Sequence, residues 1–144
     1  MSSSQVARPK FNFVLTDELR ILVTDDDPIM REFARVHLST PTADVETAES
    51  GEDGLTLLET RHFDIAMVDL DMPGMGGLEM IRQIRLNPKL RHLPVVVVTS
   101  NDDIVSIDRA YDAGATSFAT KPVNWRLLSY QLRYVLRAQG LIAA

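Results

Sequence analysis

From Leu19 onward the chain alternates between short continuous apolar runs and stretches where apolar residues recur every three or four positions. The runs read as strands covered on both faces, and the recurrent stretches read as amphipathic helices. Leu19–Thr24 (LRILVT) predicts a first strand. Pro28–Leu38 predicts a helix with Pro28 in its first turn and Ile29, Phe33 and Val36 on one face. Asp27, just ahead, suits a helix cap better than a ligand. A short strand over 44–47 is followed by Ser50-Gly51-Glu52-Asp53, which resembles a capping box opening a helix that carries Leu55, Leu57 and Leu58. Residues 64–68 (DIAMV) form the third strand, and Gly77–Leu86 a helix with Leu78, Ile81 and Ile84 in register.

The clearest strand is 94–99 (PVVVVT). Residues 103–113 predict a helix aligning Ile104, Ile107 and Tyr111, with Gly114 as its stop. A fifth strand over 116–120 and a last helix over 124–138, capped by Asn124 with Trp125, Leu128, Leu132 and Val135 inward, complete the pattern. Five strands alternating with five helices call for right-handed crossovers and a doubly wound α/β fold, a parallel sheet with helices on both faces. The expected organisation is an N-terminal extension over 1–18, one domain over 19–138 and a tail over 139–144. Phe11, Phe13, Val14 and Leu15 in the extension either dock on the domain or belong to a partly ordered leader.

Composition narrows the class. The 144 residues are 45% hydrophobic and 24% charged, as in ordinary globular proteins. A net charge of −5 leaves no basic footprint for nucleic acid, so direct DNA binding is not expected. With no cysteine, disulfide and thiolate chemistry are excluded. The N-terminus has no apolar run suited to a signal peptide, and the run over 95–98 is far too short to span a bilayer. The expectation is a cytoplasmic protein without membrane attachment. His37, His62 and His92 lack ligand spacing and read as surface residues, and the methionines as packing residues.

In a doubly wound sheet the ligand site lies beyond the carboxyl ends of the strands. Asp25, Asp26 and Asp27 follow the first strand, Asp69 and then Leu70-Asp71 the third, Thr99 ends the fourth, and Lys121-Pro122 follow the fifth. Carboxylates crowded on one rim repel one another unless a cation intervenes, and Mg²⁺ suits a few carboxylates with water and phosphate. Phosphoryl transfer needs positioning and charge neutralisation on the equatorial oxygens, which a metal, Lys121 and the Thr99 hydroxyl could share. A carboxylate nucleophile then yields an aspartyl phosphate.

The segments ILVTDDDP, VDLDMPGMGG, VVVVTSND and AGATSFATKP resemble the signature blocks of bacterial response-regulator receiver domains, over about residues 19–138. Thr99 stands 30 residues after Asp69, and Lys121 stands 52 after it, spacings similar to the family's. The resemblance implies a flavodoxin-like sheet with strand order 2-1-3-4-5. It implies that Asp69 is the phosphoacceptor, and that Asp26 binds Mg²⁺ directly while Asp25 acts through water. It further implies a metal contact from Asp69 and the Asp71 carbonyl, Thr99 and Phe118 as the switch pair, and Lys121 as the catalytic lysine. A cis Lys121–Pro122 bond is implied as well. The implied donor is a sensor histidine kinase or histidine phosphotransfer protein. The implied output is a protein target or attached domain, with homodimerisation through the fourth helix, fifth strand and fifth helix as one form. Phe118 stands where tyrosine is frequent, so its switching would rest on packing alone. Asp71 and Asn101 occupy positions beside the site that can hinder or align an attacking water.

Arg126, Tyr130, Arg133 and Arg137 share one face of the last helix, as a solvated face or as a partner surface. A rival reading takes Asp69-Leu70-Asp71 as the DxD motif of haloacid-dehalogenase-like phosphatases. Against it, residues 122–144 contain no Asp or Glu, whereas those enzymes place an acidic pair after the lysine.

Overall fold

A computed structural model describes residues 12–143. Strands β1 (Leu19–Thr24), β2 (Ala43–Ala48), β3 (Ile65–Val68), β4 (Val95–Thr99) and β5 (Ser117–Thr120) alternate with five helices. These are α1 (Pro28–Leu38), α2 (Gly51–Thr60), α3 (Gly77–Leu86), α4 (Ile104–Ala113) and α5 (Trp125–Ala138). All pairs are parallel, and the sheet runs β2-β1-β3-β4-β5, the flavodoxin-like order implied above.

Alternation along the strands divides the core in two. Ile21, Val23, Ile65, Met67, Val96 and Val98 pack against α1 and α5 on one side. Leu22, Ala66, Val68, Val95 and Val97 pack with α2, α3 and α4 on the other. Both faces are therefore covered, which explains why the central strands carry almost no polar residue.

The helix starts follow local chemistry. Side-chain oxygens of Asp27, Ser50, Asp103 and Asn124 accept the N–H of Ile29, Asp53, Ser106 and Leu127. Gly114 closes α4 at φ +116°, a left-handed conformation that favours glycine. The packing face of α1 differs from its aligned large residues. Met30, Ala34 and Leu38 are buried, while Ile29, Phe33 and Val36 stay exposed. Likewise α4 buries only Ala110 and leaves Ile104 and Tyr111 outside.

Ahead of β1, Val14 and Leu15 are buried, and Leu15 belongs to the core on the α1–α5 side. Phe11 lies outside the described residues. His37 is exposed yet stacks on Trp125, with centroids 5.3 Å apart and planes at 7°. His62 pairs with Asp64 at the surface. No described helix is long and apolar enough to cross a membrane.

Candidate functional site

Parallel register brings the strand-end residues together. Thr24 pairs with Val68, so Asp25 and Asp69 emerge side by side, and the Asp69 N–H donates to the Thr24 carbonyl at 3.0 Å. Thr99 pairs with Thr120, and the Lys121 N–H donates to the Thr99 carbonyl at 3.0 Å. The loop after β3 is turned tightly against the start of α3. A Cβ on Gly77 would strike the Asp69 carbonyl and come within 2.7 Å of Leu70 Cα.

At this rim the Lys121 ammonium donates to Asp25 Oδ2 at 2.8 Å and to Asp69 Oδ2 at 3.2 Å. Asp25 and Asp69 are buried, and Asp26 is exposed at the mouth. Each of the three offers a carboxylate oxygen, and these lie within 4.8 Å of one another. The Asp27 and Asp71 N–H groups donate to Asp25 Oδ1 and Asp69 Oδ1, at 2.9 and 3.3 Å. Asp27's own side chain is committed to capping α1, as its place before Pro28 suggested.

Electrostatics follow from burial. Asp25's carboxyl is pushed above its ordinary value by desolvation and by the Asp69 charge, against the pull of Lys121 and the Asp27 N–H. Burial alone would lower the Lys121 pKa, but the hydrogen bond and charge of Asp25, reinforced by Asp69, hold it above the ordinary lysine value. Lys121 therefore stays an ammonium. Three carboxylates facing one ammonium leave negative charge unbalanced. Such an oxygen-only donor set fits a hard divalent cation, so Asp25, Asp26 and Asp69 could hold one.

Thr99 is fully buried, and its Oγ accepts the Asn101 N–H at 3.4 Å. Phe118 pairs with Val97, two residues before Thr99, so both side chains lie on the same sheet face in adjacent strands. Phe118 is half-buried against the α2–α4 side of the core. The Lys121–Pro122 bond is cis, as the resemblance implied. Asp71 and Asn101 meet across the mouth, the Asn101 amide donating to the Asp71 carboxylate.

Some neighbours escaped the sequence reading. Arg31 of α1 donates to the Asp25 carbonyl at 2.8 Å, and Gln131 of α5 donates to Ser117 Oγ at 2.6 Å and the Phe118 carbonyl at 3.3 Å. Thr24 Oγ1 is buried beneath the rim without a hydrogen-bond partner. No local signal marks the bonds of Arg31 and Gln131, because their partners sit outside their own helices.

The response regulator receiver domain model matches residues 21–133, most of the described fold and every residue of the rim. The chain belongs to the receiver domain family. The heme response regulator HssR of Staphylococcus aureus is 35% identical over 123 residues, which are 85% of this chain and 54% of HssR. The receiver thus spans about half the length of the curated relatives it matches. Among solved structures, chemotaxis response regulator CheY4 of Vibrio cholerae superposes with a TM-score of 0.78 at 27% identity, covering 84% of this chain and all of CheY4. A CheY-like receiver domain protein of Methanospirillum hungatei gives 0.77 at 28% identity, covering 85% of this chain and 96% of that one. This receiver carries its acidic pair at the end of β1, upstream of Asp69, and not after the lysine as the phosphatase reading required.

Proposed function

We propose that this receiver is a Mg²⁺-dependent phosphoacceptor, with Asp69 taking the phosphoryl group from a phosphohistidine on a sensor kinase or phosphotransfer protein. The observation that carries the reading is Lys121, whose ammonium bridges Asp25 and Asp69 inside the three-carboxylate rim. Asp25, Asp26, Asp69 and the Asp71 carbonyl would hold the metal, which when bound neutralises charge on a phosphoryl oxygen. An Asp69 carboxylate oxygen attacks phosphorus, the P–N bond of phosphohistidine breaks, and the electron pair leaves with the imidazole. Lys121 already contacts Asp69 Oδ2, so its ammonium is in reach of an oxygen on the newly attached group. The Thr99 Oγ accepts from Asn101, which leaves its O–H free to donate to another.

The response begins with Thr99 drawn toward the phosphoryl oxygens. Phe118, on the same sheet face in the next strand, turns into the space released. Gln131 grips the Phe118 carbonyl and so joins β5 to α5. The two packings form a two-state equilibrium biased by phosphorylation, read out by a protein partner, an attached domain or a second copy on the α4-β5-α5 face.

Intact-protein mass after incubation with Mg²⁺ and acetyl phosphate tests the acceptor. In that reaction the P–O bond to acetate breaks. Wild type should gain one phosphoryl group, EDTA should abolish the gain, and Asp69→Asn should show none. Equal gain by Asp69→Asn would remove Asp69 as the acceptor. Turnover of p-nitrophenyl phosphate would favour the phosphatase reading instead.

A further inference from the structure

The basic stripe on α5 has an occupant within the chain. The Arg126 guanidinium donates to the Asn12 carbonyl at 3.0 Å, and Arg133 donates to the Val14 carbonyl at 3.3 Å. Between them stands Tyr130, with the two guanidinium carbons 5.8 and 4.8 Å from its ring centroid. The spacing i, i+4, i+7 puts the three side chains in one column, and the aromatic face steadies both cations. Carbonyls of an irregular segment need donors, and the column supplies them.

Beneath these polar ties the segment is anchored by its side chains. Val14 and Leu15 are buried, Leu15 within the same core cluster as Leu38, Leu132 and Leu136. Residues 12–15 border a cleft with His37 and Leu38 of α1 and Trp125, Arg126 and Ser129 of α5. Trp125 also borders a second groove, with Phe33 and Lys121, next to the rim. All of residues 12–15 precede position 21, where the family match begins.

We infer that residues 12–15 are a strap that closes the seam between α1 and α5, with Arg126, Tyr130 and Arg133 as its holders. Arg126 and Arg133 of the stripe are thereby engaged on the chain's own backbone. The strap fixes one flank of α5 and the wall formed by Trp125, and its departure would uncover the apolar seam around Leu15, Leu38 and Leu132. The inference does not depend on phosphorylation of Asp69.

The test compares the full chain with one beginning at Thr16. Trp125 is the sole tryptophan, so emission reports this seam directly. The shortened chain should melt about 5–10 °C lower, and its emission should shift to the red. Because truncation also removes core side chains, a second variant, Arg126→Ala with Arg133→Ala, leaves them in place. Chymotrypsin should then cut after Phe13 roughly ten-fold faster than in wild type, at a protease level where opening governs cleavage. Unchanged melting and emission in the shortened chain, or equal cleavage of the double variant and wild type, would overturn the strap.

Discussion

The two helices that flank β5 are held in opposite ways. α5 buries Leu128, Ser129, Leu132, Val135 and Leu136, and its outer column is tied to residues 12–15. α4 buries only Ala110, and Ile104 is 76% and Val105 57% exposed. Beyond Ala110 and the partly buried Ala113, what holds α4 is polar and lies at its ends. Asp103 caps its start, while Gly114 and Arg85 secure its exit. A helix fixed by a buried face moves only at the cost of that face, whereas one fixed at its ends can shift while giving up little apolar packing. The face proposed to report phosphorylation thus joins a half in α5 held by a buried face to a half in α4 held mainly at its ends.

The largest effect expected from this contrast is on the buried face. Leu132→Ala should cost about 3 kcal/mol in urea unfolding, since it empties a fully buried position. Ile104→Ala on α4 should stay within about 0.5 kcal/mol. Similar losses at both positions would erase the distinction.

A smaller effect should follow removal of the tie at the exit of α4. Arg85 of α3 donates to the Gly114 carbonyl at 2.9 Å, the Leu93 carbonyl at 2.6 Å and Thr116 Oγ1 at 3.3 Å. Its burial lowers the guanidinium pKa, yet the group remains charged. Arg85→Ala should cost about 2 kcal/mol by removing the donor to the Gly114 and Leu93 carbonyls, while Thr116 Oγ1 still accepts the Val95 N–H at 3.0 Å. Amide exchange should quicken in α4 and β5 ahead of α5. Loss spread evenly over all three would mean that Arg85 supports the whole core.

The smallest effect is a pH dependence confined to α4. The backbone N–H and hydroxyl of Ser106 hold the Asp103 carboxyl below its ordinary value. A depressed carboxyl pKa contributes stability above the unfolded value and loses it as pH falls through the folded one. On acidification, α4 amides should therefore lose protection before those of α5. Asp103→Asn should flatten that dependence, and an unaltered profile would assign it to another group.

Much of this was legible in the chain because it is local. Strand runs, the caps at Asp27, Ser50 and Asn124 and the stop at Gly114 are fixed by residues within a few positions of one another. Helix faces were harder. Ile29, Phe33 and Val36 share a face by periodicity, yet α1 packs through Met30, Ala34 and Leu38. Periodicity states that a face exists and leaves open which one meets the sheet. The bonds from Arg85 to Gly114, Gln131 to Ser117, and Arg133 to Val14 had no local sign, being 29, 14 and 119 residues apart in sequence.

By itself the sequence determined the elements, their alternation and the groups carried at the strand ends, because hydrogen bonding and side-chain alternation within one element depend on near neighbours. Tertiary structure alone decided that Lys121 bridges Asp25 and Asp69, that Asn101 reaches Asp71, and that the arginines of α5 hold the segment ahead of β1. Those bonds join loops and ends of elements distant in the chain. The register of the parallel sheet, set only when all five strands pair, brings them within reach.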